Sequence, residues 1–148
     1  MEIYRVSFIG HRKIYCIDEI EANIERILRD LLYQKEYVEF YVGRNGDFDI
    51  LAASAIKRVQ KDFWKNCSLI LVLPYHVKDE QYYNHFYDEI CLPVDPKTHF
   101  KAAIIKRNEW LIDCSNLLIT YVEHKSGGAY KTLEYAKQKG VKIINIAK

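Results

Sequence analysis

The feature that most constrains this chain is the alternation of short β-rich runs with longer segments of helical periodicity. Residues 68–73 are almost entirely apolar and stop at Pro74, which is typical of a strand covered on both faces of a parallel sheet. Further strands are predicted over residues 3–9, 37–42, 117–122 and 141–146, and helices over 49–65, 100–114 and 127–139 after a first helix that begins at Asp18. This order predicts an α/β fold with a mostly parallel sheet of five strands, or slightly more, and helices on both faces.

One segment interrupts the alternation within what we interpret as a single domain over residues 1–148. Residues 75–99 are rich in aromatic and charged residues, and a short helix is predicted near 79–87. The run Tyr-Tyr-Asn-His-Phe-Tyr at 82–87 favours an exposed interface of a homodimer. The alternative is a lid or a satellite core folded over the sheet.

Composition excludes several classes of protein. The net charge of +2 provides no strong basic field, which argues against nucleic acid as a partner. No apolar run reaches the roughly 18–20 residues of a membrane span, and the first residues do not resemble a signal peptide, so a cytoplasmic protein is expected.

The cysteines and the first helix carry two further local predictions. The four cysteines are widely spaced without a Cys-x-x-Cys, which indicates small packing residues rather than disulfides or a metal site. No metal or cofactor is predicted. Asp18 followed by Glu21 matches a capping box at the start of the first helix.

Ligands of open parallel sheets bind beyond the carboxyl ends of the strands, so the loops at that edge are the candidate site. The loop after the first predicted strand contains Gly10, His11, Arg12 and Lys13. Glycine lets the backbone come close to a ligand and the basic side chains suit a phosphate, although an ordinary surface turn has the same composition.

The loop after the second predicted strand also contains two glycines before a helix. It consists of Gly43, Arg44, Asn45, Gly46 and Asp47, followed by Phe48 and Asp49. Such a loop favours an anion or nucleotide cradle. Asp47 and Asp49 are compatible with ribose hydroxyl binding or with simple capping of the helix.

The loop after the predicted strand at 117–122 has paired glycines at a strand-to-helix junction. Gly127 and Gly128 offer backbone N–H groups at the positive end of a helix, which favours phosphate binding. Ser126 and Thr132 add hydroxyl groups, and Glu134 lies about two turns into the helix.

Arg107 falls on the apolar stripe of the helix at 100–114, where an unpaired charge is costly. Either its stem packs while its head reaches solvent, or it points along the end of the sheet toward a carboxylate or a phosphate.

Four of these pieces, in the same order, resemble the SLOG superfamily, which groups the LOG (lonely guy) proteins and the DNA-processing protein A family. They lie at residues 7–12, 41–49, 106–110 and 126–132, and together they span nearly the whole chain. The chain is most similar to small bacterial SLOG proteins of unassigned role. The resemblance implies a Rossmann-like three-layer sandwich that binds nucleotides or their derivatives.

The LOG branch cleaves the N-glycosidic bond of nucleoside monophosphates with a Pro-Gly-Gly-x-Gly-Thr-x-x-Glu signature and a helix arginine. Gly127, Gly128 and Glu134 match that signature, and Arg107 matches the helix arginine, which implies catalytic roles for Arg107 and Glu134. Three positions differ, because serine, tyrosine and lysine replace the proline, the third glycine and the threonine. The dimeric state of LOG proteins adds weight to a homodimer.

The main functional prediction is therefore the binding of a nucleotide or nucleotide-derived small molecule at the carboxyl end of the sheet. The alternative is a LOG-like N-glycosidic hydrolase. A third reading is single-stranded DNA binding, for which the 12 tyrosines supply stacking groups but the near-neutral charge supplies little attraction.

Overall fold

The computed structural model describes residues 1–147, and within them the chain forms six strands and five helices. The strands are β1 (Ile3–Gly10), β2 (Tyr37–Val42), β3 (Cys67–Val72), β4 (Glu89–Cys91), β5 (Leu117–Tyr121) and β6 (Lys142–Asn145). The helices are α1 (Ile17–Gln34), α2 (Asp47–Phe63), α3 (Glu80–Tyr83), α4 (Phe100–Cys114) and α5 (Gly127–Lys139). In the described part of the chain, no helix is long and apolar enough to cross a membrane.

The strands form one parallel sheet in the order β4-β3-β2-β1-β5-β6. The α/β architecture with a parallel sheet predicted from the sequence is confirmed. The sixth strand is β4, which has only three residues and lies inside the aromatic segment, so periodicity gave no signal for it. The chain leaves β1 in one direction to form β2, β3 and β4 and later returns to its other side to form β5, which places the topological switch point between β1 and β5.

Helices cover both faces of the sheet, as expected. On one face α1 and α2 pack together over a core that includes Phe8, Phe40 and Phe48. On the other face α4 and α5 pack together over a smaller core that includes Leu111 and Leu118. Because both faces are buried, the central strands are largely apolar, and the buried hydroxyls of Ser7 and Thr120 donate to backbone carbonyls.

The aromatic segment packs in part on the larger core. Tyr87 is buried there, while Tyr82 remains exposed. The guanidinium of Arg44 lies 4.5 Å from the centre of the Tyr83 ring and donates to the Tyr87 hydroxyl at 3.4 Å. The segment therefore forms a satellite of the core that still presents aromatic side chains, and the homodimer stays a prediction.

Two local predictions about the first helix and the cysteines need correction. The capping box is not formed: Glu21 pairs instead with Arg58 of α2 at 3.0 Å, and no side chain caps α1. The residue before α1 is Cys16, which is exposed and has a left-handed backbone with φ of 57°. The packing prediction holds for Cys67, which is buried, and is wrong for Cys16, which is exposed.

Phe48 should be a main support of the core beneath the carboxyl edge. It is fully buried, and its ring lies 6.5 Å from that of Phe8 and against Gly10. We expect Phe48→Ala to lower the free energy of unfolding by about 3–5 kcal/mol, through lost apolar contact and the cavity left behind. Phe100→Ala, at an exposed aromatic, is the matched control and should change it by about 0.5 kcal/mol or less. Equal losses in urea denaturation would contradict this account.

Candidate functional site

A cleft of about 510 Å³ opens at the carboxyl ends of β1 and β5, at the topological switch point. Its size lies within the range usual for small-molecule sites. Its lining comes from the loops after β1, β2 and β5 and from α4, and comprises Ile9, Gly10, His11, Arg12, Lys13, Asn45, Asp49, Ile104, Arg107, Asn108, His124, Ser126, Gly127, Gly128 and Ala129.

Arg107 forms part of the floor of the cleft. Its side chain is only 2% exposed, its Nη1 donates to the Val72 carbonyl at 2.8 Å, and its Nε donates to Asn108 Oδ1 at 2.9 Å. Its Nη2 donates to none of the residues that the structure describes. The head thus points along the end of the sheet, as the second sequence interpretation predicted. Burial lowers the pKa of Arg107, and the nearby carboxylate of Asp49 partly offsets this.

Asp49 is the second buried ionisable group of the floor. It lies in the first turn of α2, is 8% exposed, and accepts a hydrogen bond from the Asn45 N–H at 3.0 Å. Burial raises the pKa of Asp49, opposed by that hydrogen bond and by the charge of Arg107. The sequence predicted a ribose ligand or a helix cap for this residue. Its burial is a result of the tertiary fold.

Gly43 is required by this pair. A Cβ there would lie 2.9 Å from Nη1 of Arg107 and 3.2 Å from Oδ2 of Asp49. Gly43 itself does not line the cleft. It makes room for the two buried polar groups, and the predicted phosphate contact at Gly43 has no place in the lining of this cleft.

Gly10 and Gly46 are also packing positions. A Cβ at Gly10 would collide with the ring of Phe48, and one at Gly46 would collide with the backbone of Arg12. The loops after β1 and β2 therefore press directly on each other, and the Asp47 N–H donates to the Arg12 carbonyl at 2.8 Å. The prediction that the second loop is an open glycine cradle needs correction, since only its Asn45 and the following Asp49 line the cleft.

Gly127 and Gly128 behave differently, because a Cβ at either would meet nothing within 4 Å. Gly127 has φ of 90°, a left-handed conformation that favours glycine. Ser126 precedes α5 in an extended conformation and makes no capping hydrogen bond with its side chain. The first N–H groups of α5 are thus left open at the wall of the cleft, as the sequence predicted.

Two histidines stack at the cleft, and the sequence pointed to only one of them. The rings of His11 and His124 lie 3.9 Å apart and are nearly parallel, at 6°. His11 Nε2 accepts the backbone N–H of Glu123 at 2.8 Å, which places the proton of the neutral ring on Nδ1. His124 follows β5 in an exposed loop, and no local pattern marked it.

Several predicted site residues lie outside the lining of the cleft. Arg44 turns toward the aromatic segment, and Asp47 accepts the Ile14 N–H at 3.4 Å. Thr132 donates back to the Gly128 carbonyl within α5 at 2.9 Å. Glu134 is part-exposed and pairs with Lys137 at 3.2 Å. The predicted convergence of Arg107 and Glu134 on one cleft is therefore not formed.

The chain was compared with known proteins at the level of sequence and of structure. No family model matches the sequence, and no curated protein matches it. DNA processing protein A from Streptococcus pneumoniae matches the structure with a TM-score of 0.67 at 15% identity, over 95% of this chain and 49% of that protein. DNA processing protein A from Helicobacter pylori, in a structure describing its single-stranded DNA binding mode, matches with a TM-score of 0.66 at 15% identity, over 95% of this chain and 63% of that protein.

The chain has a fold like that of DNA processing protein A. The Rossmann-like α/β architecture expected from the sequence is supported by these structures. The chain spans less than two thirds of either protein, and at this identity the likeness concerns the fold alone.

The packing role assigned to Gly43 can be tested with a pair of alanine substitutions. Gly43→Ala should lower the free energy of unfolding by about 1–3 kcal/mol, because the new methyl group displaces the Arg107 guanidinium in a filled site. In Gly128→Ala the methyl group enters open space, so the free energy of unfolding should stay close to that of the parent protein. Thermal and urea denaturation measure both, and similar losses would show that Gly43 is not specially constrained.

The environment of His11 should make stability depend on pH. Burial lowers the pKa of His11 below its ordinary 6.5, with a further contribution from His124. The unfolded chain therefore binds a proton at this residue before the folded chain does, and stability should be lost as the pH falls below about 6.5. His11→Gln retains an acceptor but does not titrate, so its loss of unfolding free energy between pH 7.5 and 5.5 should be smaller than that of the parent.

His85→Gln provides the control for this measurement, since His85 is exposed on the aromatic segment. Its unfolding free energy should change with pH as that of the parent protein does over the same range. If His11→Gln and His85→Gln behave identically, the stacked histidine does not govern the acid sensitivity.

Proposed function

We propose that this protein binds a nucleotide or nucleotide-derived small molecule in the cleft at the switch point. One observation carries the proposal: the open N-terminus of α5 and the buried pair of Arg107 and Asp49 line the same cleft. A phosphate and a polar, uncharged portion of one ligand match these two environments.

The phosphate end of the ligand is assigned to the N-terminus of α5. Open backbone N–H groups and the helix dipole favour an anion there. Arg12 and Lys13 line the same cleft with exposed basic side chains, which adds a mobile positive charge at its rim. Two kinds of donor, one fixed in the backbone and one flexible, are a common arrangement for phosphate groups.

The remaining walls suit the rest of a nucleotide. The stacked rings of His11 and His124 present a planar surface, and Ile104 adds an apolar contact. Asn45 and Asn108 supply amide groups that both donate and accept hydrogen bonds. A sugar and a heterocyclic base need this mixture of flat, apolar and hydrogen-bonding surface.

N-glycosidic hydrolysis is not part of the proposal. In that alternative Glu134 served as the carboxylate that orients water or stabilises the sugar, but its side chain lies outside the cleft lining and pairs with Lys137. No other observation favours hydrolysis by this residue.

Single-stranded DNA binding is the second candidate, and the structural comparison favours it. The Helicobacter pylori neighbour of the same fold is described by its single-stranded DNA binding mode. This weighs against the sequence-based prediction that nucleic acid is not a partner. A DNA strand would use the same phosphate site, so the two candidates differ in whether one nucleotide suffices.

Gly128→Val tests the phosphate site. The parent protein should bind nucleoside monophosphates or NAD-type molecules in isothermal titration calorimetry, with no free base appearing on chromatography. The valine side chain occupies the open space in front of the α5 amides, so affinity should fall about tenfold or more while the fold is kept. Gln138→Val, on an exposed part of the same helix, controls for the β-branched side chain.

Oligonucleotides distinguish the two candidates. Anisotropy of a labelled oligo-dT should show no binding tighter than that of the best mononucleotide. Tight oligo-dT binding that Gly128→Val abolishes, without mononucleotide binding, would replace the main proposal by the DNA candidate. Unchanged binding in Gly128→Val would place the phosphate elsewhere.

A further inference from the structure

We propose that Asp49 binds the sugar hydroxyls of the ligand, so that the cleft selects ribonucleotides over 2′-deoxyribonucleotides. This inference rests on the proposed nucleotide-binding function and adds to it the class of sugar. It also assigns a role to a residue that the phosphate site does not use.

Asp49 has an unused acceptor at the cleft. The residue lines the cleft although its side chain is more than nine-tenths buried. Its Oδ2 accepts the Asn45 N–H, whereas Oδ1 accepts no hydrogen bond from any residue that the structure describes. Oδ1 is not among the buried atoms that lack a partner, so it is open to the cleft, where a hydroxyl group of a ligand can donate to it.

The same carboxyl group excludes a phosphate from this part of the cleft. An anion placed against a buried carboxylate is repelled in a medium of low dielectric. Arg107 and Asp49 form no direct ion pair, but their opposite charges act on each other through space, so the floor as a whole is not an anion site. The phosphate of the ligand therefore binds at α5, Arg12 and Lys13. The uncharged part of the ligand lies against Asp49.

The order of strands places these two environments at the spacing of adjacent strands. β5 leads to the α5 N-terminus, β1 leads to Arg12 and Lys13, and β2 leads to the turn that bears Asp49. Neighbouring strands lie about 5 Å apart. A phosphate held between the ends of β5 and β1 therefore leaves its sugar over the ends of β1 and β2, and an acidic side chain at the end of the next strand is a known way to bind ribose hydroxyls in α/β sheets.

The presence of Arg107 beside Asp49 favours a diol as the ligand group over a single hydroxyl. Arg107 Nη2 is a donor without a partner among residues 1–147, and it belongs to the same buried floor. A hydroxyl donates to a carboxylate and accepts from a guanidinium at the same time. The two adjacent hydroxyls of a ribose match both groups, and the loss of one hydroxyl removes one of these hydrogen bonds.

Paired nucleotides test this inference with the unmodified protein. AMP and GMP should bind about tenfold or more tightly than dAMP and dGMP in calorimetry, because each deoxynucleotide lacks one hydroxyl for a charged partner. Asp49→Asn should lower the affinities for AMP and GMP toward those for dAMP and dGMP. The affinities for the two deoxynucleotides should change little. The affinities of AMP and dAMP for the parent protein and for Asp49→Asn form a thermodynamic cycle, which gives the coupling energy between the hydroxyl and the carboxylate.

Asp47→Asn is the matched control, because Asp47 lies two residues away and outside the cleft lining. It should preserve the preference for ribose. If Asp49→Asn fails to fold, as judged by circular dichroism, the preference of the unmodified protein decides alone.

The outcomes separate this inference from the function on which it rests. Equal binding of ribo- and deoxynucleotides by the unmodified protein, sensitive to Gly128→Val, overturns the role of Asp49 and leaves nucleotide binding in place. A ribose preference that Asp49→Asn leaves intact in a folded protein also overturns it. Binding of none of the four nucleotides overturns the role of Asp49, and the absence of binding by NAD-type molecules as well overturns the proposed function.

Discussion

The carboxyl edge of the sheet is organised around the buried guanidinium of Arg107. Through its hydrogen bond to the Val72 carbonyl, it fastens α4 to the end of β3. Through its position beside Asp49 and Gly43, it connects α4 on one face of the sheet with the start of α2 on the other. A buried charge of this kind is tolerated only with hydrogen-bond partners and a compensating charge, so its neighbours are tightly constrained.

The glycines of the candidate site divide into two groups, and the buried Arg107 accounts for one of them, Gly43. Gly10, Gly43 and Gly46 are small because a ring, two polar heads and a backbone segment occupy the space where a side chain would be. Gly127 and Gly128 face open space, and their lack of side chains exposes the amides of α5 to the cleft. Only the second group has the geometry of a phosphate site.

The fold and the cleft of this protein carry different information about its ligand. The fold resembles DNA processing protein A at 15% identity, which establishes the architecture alone. The cleft combines an open helix end, rim cations and a buried carboxylate, and its charge is not uniformly positive. A surface that binds a polyanion along its length benefits from basic residues throughout, whereas this cleft suits a ligand with one charged end.

The sequence by itself determined the alternation of elements, the parallel sheet with two covered faces, and the open glycines at the start of α5. These depend on local periodicity and on turn chemistry, which neighbouring residues express directly. It also indicated that Arg107 has an unusual place, because a charge on an apolar stripe is visible in the pattern of one helix. Only the tertiary structure decided which distant groups meet: β4 pairs with β3, His124 stacks on His11, and Asp49 lines the cleft. The physical reason is that such meetings depend on strand order, on the crossing of chain segments far apart in sequence, and on side-chain rotamers, none of which has a local signature.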